Sequence, residues 1–192
     1  MSLAPWRSHI AHALDRNRSL AYSRYLQLAT IRQDNHPANR TVVFRGFLED
    51  SNQLKFAIDA RSEKIDQVAH QSWAEACWYF PTTREQFRFT GSLTVVGAEH
   101  PDSVLQQARI STWQKLSDPA RIQFAWPHPG QPKADAIAFE PPAPDANEPL
   151  PDFCLLLLEP MQVDHLELRG EPQNRCLYCL NNEVWSSQAI NP

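Results

Sequence analysis

From residue 25 to residue 96 the chain repeats one pattern, a short alternating or apolar run followed by a cluster of turn residues. Residues 25–31, 40–48, 53–59, 74–80 and 84–96 read as strands by their period of two and their β-branched and aromatic content. The intervals 33–39, 49–52 and 81–83 carry the Asn, Asp, Pro, Ser and Thr expected of turns. Strands so closely spaced predict a meander of hairpins. The pattern resumes at 153–158, 162–168, 175–180 and 184–186. About eight strands with few helices predict a mainly β fold with flanking α, built as a small closed or split barrel.

The helical segments are short and apolar on one side. Residues 3–18 place Leu3, Trp6, Ile10, Ala13 and Leu14 at helical spacing. Ser62 is a good N-cap for a helix to about residue 71, with Ile65, Val68 and Ala69 on its apolar side. Residues 101–115 form a third helical segment, and Asp118 with Pro119 starts a fourth running to about Phe124.

At 192 residues and 22.0 kDa the chain has the size of one domain, 1–192, able to bury roughly 70% of its unfolded surface. Sixteen prolines stand against five glycines, and the stretch at about 127–151 is rich in them. It reads as an extended or mobile surface excursion inside the domain. A net charge of −4 argues against a general nucleic-acid binder. No apolar run reaches the ~20 residues of a membrane span, and the N-terminal stretch lacks the apolar middle of a signal peptide. A soluble cytoplasmic protein is expected, binding neither nucleic acid nor membrane.

Candidate chemistry is concentrated in two runs. Arg40, Thr41, Val42, Val43, Phe44 and Arg45 form a strand framed by arginines, and Arg61, Ser62 and Lys64 crowd the start of the second helix. A helix N-terminus presents unpaired N–H groups, so cations beside it predict an anion site. Arg40 and Arg45 are five residues apart and would face opposite sides of an unbroken strand, which requires a bulge, the strand end or separate roles. In the fifth strand Phe87 and Phe89 face one way and Gln86, Arg88 and Thr90 the other, so Gln86 belongs to a polar face.

Metal and redox chemistry find little support. His9 and His12 are spaced i, i+3 on the first helix but have no carboxylate near them in sequence, and they read as surface or packing residues. Four cysteines do not make a disulfide framework, and Cys77 and Cys154 read as inert core residues. Cys176 and Cys179, three apart on a strand, face opposite sides. No metal site is expected.

Taken in order, these runs resemble the pyridoxamine 5′-phosphate oxidase-like family of FMN-binding split barrels, in particular its cyanobacterial and plant-type branch. The markers are Arg40 through Arg45, Arg61 through Lys64, Arg84 through Arg88 before Gly91, and the ending from Asn174 and Arg175 through Trp185 to Pro192. The resemblance implies a homodimer with FMN in a groove between subunits. Arg40, Thr41, Val42, Val43, Phe44 and Arg45 would hold the flavin, with Ile58 in contact from the next strand. Arg61, Ser62 and Lys64 would receive the phosphate, Gln86 would bond the ring edge, and Arg175 would reach it from the C-terminal strands. The activity implied is oxidation of a small substrate by hydride transfer to flavin. No catalytic side chain is singled out, and contributions from Ser117, Arg121, Gln123 and His165 are left open.

Departures from the family pattern fall mainly on the substrate side. Glu63 and Lys64 stand where the family has Arg-Lys, and Arg45 where it has a substrate-contacting lysine. Glu171 and Gln173 replace the arginine and histidine that grip the pyridoxal group, and Val104 and Ala108 occupy middle-helix positions of substrate-binding residues. A glutamate at such a point repels a phosphorylated substrate by roughly several tenths to a few kcal/mol, depending on burial. An FMN-dependent oxidoreductase with an unidentified substrate is therefore expected. Authentic pyridoxamine/pyridoxine 5′-phosphate oxidase and a non-catalytic flavin-binding module are the alternatives.

Overall fold

The computed structural model describes residues 3–192. Eight strands form one antiparallel sheet: β1 Tyr25–Ile31, β2 Pro37–Phe47, β3 Leu54–Asp59, β4 Trp73–Phe80, β5 Glu85–Val96, β6 Phe153–Glu167, β7 Asn174–Asn181 and β8 Val184–Ala189. The order is β3-β2-β1-β4-β5-β6-β7-β8, and an additional β3–β6 pairing closes the first six strands into a barrel. The hairpins expected from the sequence are present, with Tyr25 opposite Val43 and Ile31 opposite Pro37 in the β1–β2 ladder.

Period-two alternation fills the barrel. Leu26 and Leu28, Val42 and Phe44, Leu54, Phe56 and Ile58, Ala76, Trp78 and Phe80, and Phe87 and Phe89 all point inward and are buried. Helix α1, Trp6–Arg16, packs its stripe of Trp6, Ile10 and Ala13 against this core. The Trp6 ring meets Phe89 edge-on at 5.4 Å. Buried Trp78 donates its indole N–H to the Ser23 carbonyl at 2.9 Å, so the interior aromatic carries no unmet donor.

Two predicted strands prove to be one. The runs at 153–158 and 162–168 join in β6, whose first half pairs with β3 (Leu54 opposite Leu158) and whose second half pairs with β7 (Leu166 opposite Arg175), while β5 follows it throughout. Pro160 reads as a break in the sequence, yet a strand tolerates proline at a bulge. The ladder shifts register between Thr90 and Gly91, opposite this point. The first half of β6 is apolar at every position because its outer face is also covered. Helix α3, Ser103–Gln114, lays Leu105 and Ala108 on Leu155 and Leu157, and Trp113 on Phe153.

Other expectations need correction. Ser62 does not cap helix α2, which runs Lys64–His70 with Glu63 before it; the Ser62 hydroxyl instead donates to the Asp59 carbonyl at 2.8 Å. Cys77 is half-buried on the outer side of β4 rather than in the core, whereas Cys154 is buried as expected. The proline-rich excursion runs over the surface and is tied down toward its end. Trp113 donates its indole N–H to the Asp145 carbonyl at 2.9 Å, and Arg109 donates to the carbonyls of Leu150 at 2.9 Å and Phe153 at 2.8 Å. A short helix α4, Asp118–Arg121, and a 3-10 turn, Ile122–Ala125, lead into it.

Gly91 is where the barrel is tightest. A Cβ there would lie 1.9 Å from the Glu159 carbonyl oxygen and 2.8 Å from its carbon, both backbone atoms that cannot swing aside. Gly91→Ala should therefore cost at least about 3 kcal/mol, a fall in Tm of roughly 6–12 °C for a chain of this size, measured by thermal unfolding. An unchanged Tm would contradict the close approach of β5 and β6.

Candidate functional site

Outside the barrel wall, between β2, β3, α2 and α4, lies a groove made of two adjoining cavities of about 580 and 500 Å³. They share Ala57, Ile58, Lys64, Gln123 and Phe124. Strand β2 supplies one wall. Thr41, Val43 and Arg45 alternate on its outer face, and Arg24 and Tyr25 stand beside them. Helix α2 contributes Lys64 from its first residue, while Ser117 and Gln123 come from either side of α4. The excursion closes the far cavity with Trp126, His128, Lys133 and Phe139.

The parity question raised by the two arginines is settled by the ladder. The irregularity in β2 lies between Phe44 and Phe47, where Gly46 takes φ +101°, so the strand is unbroken from Arg40 to Phe44. Arg40 and Arg45 accordingly have separate surroundings. The Arg40 guanidinium donates to Thr30 Oγ1 at 2.6 Å, Gln67 Oε1 at 2.7 Å and the Leu28 carbonyl at 3.1 Å. Arg45 reaches the groove, and its buried Nε has no hydrogen-bond partner.

The cations thus fall into two groups. Arg61 is held by Asp59 through bonds of 2.9 and 2.7 Å, by Asp152 at 3.3 Å and by the carbonyls of Trp126 and Phe124 at 3.0 and 3.3 Å. Its hydrogen bonds to Asp59 raise its pKa further. Arg175 makes two bonds to Asp164, at 3.0 and 2.7 Å, and Arg88 reaches the same carboxylate at 2.5 Å. Arg24, Arg45 and Lys64, by contrast, enter no salt bridge among the described residues, and all three line the same cavity. Burial lowers the Lys64 pKa, Arg40 adds to the effect, and Asp59 and Glu63 oppose it. Burial also lowers the Arg45 pKa, with Tyr25 opposing and Arg24 reinforcing. These shifts mark cations short of a counter-charge.

Of the residues singled out in the sequence, the groove gathers Thr41, Val42, Val43, Arg45, Ile58 and Lys64. Phe44 is in the core, against Trp78 at 4.8 Å. Arg40, Arg61 and Ser62 lie near the groove but are tied into the structure around it. Gln86 and Arg175 stand on β5 and β7, away from this wall. Ser117 and Gln123 do line the groove; Arg121 instead bonds the Leu116 carbonyl and Asp118, and buried His165 bonds Glu85. Arg24, Tyr25 and the excursion residues were not anticipated. They carry no local motif: Arg24 and Tyr25 are set beside β2 by the β1–β2 hairpin, and the excursion reaches the groove because the chain folds back over β3.

The comparisons with known proteins agree with this geometry. The family model described as "Pyridoxamine 5'-phosphate oxidase, FMN-binding domain" matches residues 3–97. The chain is 38% identical over 198 residues to pyridoxine/pyridoxamine 5'-phosphate oxidase 2 of Arabidopsis thaliana, covering 99% of this chain and 98% of the relative. The chain belongs to the pyridoxamine 5′-phosphate oxidase family. Among its solved members, a pyridoxamine 5′-phosphate oxidase-related, FMN-binding protein of Nostoc punctiforme is 64% identical, with a TM-score of 0.97 and full coverage of both chains. PhzG of Burkholderia lata 383, at 19% identity and TM-score 0.76 over 96% of this chain and 90% of its own, shares the fold.

The groove fits the family's cofactor, FMN, on the observation of its unpaired cations. A phosphate monoester carries about −1.5 to −2 charges at pH 7, which matches guanidinium and ammonium donors lacking carboxylate partners. Val43, Ala57 and Phe124 offer apolar surface beside them.

Arg61 should act on the excursion rather than on an anion. Arg61→Ala is expected to cost about 2 kcal/mol and to speed proteolysis within residues 127–151 severalfold, read by limited digestion and mass spectrometry. Arg45→Ala, which leaves those anchors intact, should digest like the wild type.

Proposed function

We propose that the chain is a homodimeric FMN-dependent oxidoreductase acting on a small substrate. The convergence of Arg24, Arg45 and Lys64 on one groove, none of them in a salt bridge among the described residues, carries this reading. FMN supplies two-electron redox chemistry when bound, and the protein's part is to hold, orient and shield it. Arg45 and Lys64 would bind the phosphate, and the donors of Thr41, Ser117 and Gln123 would orient polar edges. Ala57, Phe124 and the excursion would exclude water.

The position of the remaining polar groups supports the dimer in this reading. In the strand order β2 and β5 are three steps apart, about 14 Å along the sheet, so Gln86 is remote from the β2 wall. The outer face of β4 beside Gln86 and Arg88 exposes Trp73 and Tyr79, large rings suited to burial against another subunit. A second copy seated there would bring Gln86 and the Arg175–Asp164 pair of the partner subunit toward the groove. The four cysteines are unbridged, which suits a reducing cytoplasm.

The full-length likeness to the Arabidopsis oxidase supports a second reading, in which the substrate is pyridoxine or pyridoxamine 5′-phosphate. Glu171 and Gln173 weigh against it. Glu171 is exposed in the β6–β7 turn, and Gln173 lines a small cavity beside Arg175, so neither offers a cation to a phosphorylated substrate.

Purified protein should show the visible absorbance of bound flavin and elute as a dimer. Arg45→Ala and Lys64→Ala should each weaken FMN binding roughly 10- to 100-fold, the loss of one charge-assisted contact, by fluorescence titration. Arg40→Ala should lower Tm more than affinity. A protein that takes up no FMN would refute the proposal, and peroxide formed from pyridoxamine 5′-phosphate would select the second reading.

A further inference from the structure

A second cluster of chemically able groups lies at the end of the barrel near α1. Glu85 opens β5, and His165 and Glu167 close β6; all three lie on the strand faces that carry Phe87 and Val163 inward. Their nearest ligand atoms, two carboxylate oxygens and one imidazole nitrogen, are all within 4.8 Å of one another. His165 Nε2 and Glu85 Oε2 are 2.9 Å apart, and these two residues are only 3% and 8% exposed. The His165 ring is fixed by stacking on Phe87, with centroids 4.1 Å apart and planes at 9°.

This arrangement is costly as it stands. Glu85 and Glu167 are direct cross-strand partners in the β5–β6 ladder, and like charges in that position destabilise a sheet. Glu167 has no salt-bridge partner among the described residues. Two carboxylates thus share one imidazole, and α1 holds a further ring close by, His9, whose centroid is 5.2 Å from that of His165. A cavity of about 220 Å³ lined by His9, His165 and Glu167 gives access.

We infer that Glu85, His165 and Glu167 form a binding site for one divalent transition-metal ion, with His9 available as a fourth ligand. Imidazole and carboxylate together suit zinc, cobalt or manganese, whereas magnesium and calcium prefer oxygen alone. The histidines of α1 do have carboxylates near them, supplied by β5 and β6 rather than by neighbouring sequence. The ion would offset the Glu85–Glu167 repulsion and clip α1 to the barrel end. The three ligands lie apart from the β2 groove, although the cavity that gives access to them is also lined by Gln173 and Arg175.

The test uses tag-free protein in its as-purified flavin state, stripped of metal with a chelator and dialysed. Titration with zinc chloride by calorimetry should show one equivalent bound per chain, and Tm should rise roughly 5–10 °C at a hundredfold excess over Kd. Cobalt should give visible bands of a nitrogen–oxygen set without thiolate charge transfer. Glu167→Gln should weaken zinc binding at least tenfold, yet raise the Tm of metal-free protein because the carboxylate repulsion is gone. The Cys176→Ser, Cys179→Ser double variant should bind zinc like the wild type. Failure of wild-type protein to bind zinc, cobalt or manganese would overturn the inference, as would binding that survives Glu167→Gln unchanged or disappears with the cysteines.

Discussion

Closure of the barrel rests on a single strand that must satisfy three neighbours. β6 pairs with β3 at one end and β7 at the other while β5 accompanies it along nearly its whole length. The change of partner requires a bend, and the bend requires that β5 present no side chain where the Glu159 backbone crosses it. Gly91 meets that need. Without the β3–β6 pairing the sheet would be open, and β3 would end in an unprotected edge. The groove would also lose a wall, because the outer face of β3 is positioned against α4 only by that closure.

The same strand explains why the helices sit where they do. Its first half is apolar on both faces, so one face enters the barrel and the other demands a cover, which α3 and the residues around α4 supply through Trp113, Leu116 and Phe124. That cover carries the chain back over β3 and delivers Ser117, Gln123 and the excursion to the groove. Hydrophobic burial and the polar site are therefore consequences of one layout. Arg61 donates to the carbonyls of Phe124 and Trp126 just before the excursion and Arg109 to that of Leu150 near its end, so both ends are fixed through backbone groups in need of partners.

Much of this could be read from the residues in order. The strands of the meander follow their alternation, and Thr41, Val43 and Arg45 share a face for the same reason. The joining of two runs into β6 was hidden because Pro160 looks like an ending, and only its position opposite a register shift makes it tolerable. The cations were harder to sort. Arg40, Arg61 and Arg175 have the same chemistry as Arg45, but Gln67, Asp59 and Asp164 satisfy them, and two of those three partners are distant from them in sequence. Residues brought in by the fold-back of the chain over β3, such as Trp126 and Lys133, leave no periodic trace.

Unpaired cations also change how the protein relates to its own cofactor supply. Burial and a neighbouring cation, Arg24 for Arg45 and Arg40 for Lys64, both disfavour the charged forms in the groove, so an anion seated there would relieve the native state. Ligand binding and folding are then linked, since whatever neutralises the groove shifts the population toward the native state. Were FMN the anion, as proposed, a cell poor in it would hold this protein at a lower steady-state abundance. In that sense the groove reports cofactor sufficiency through the lifetime of the polypeptide itself.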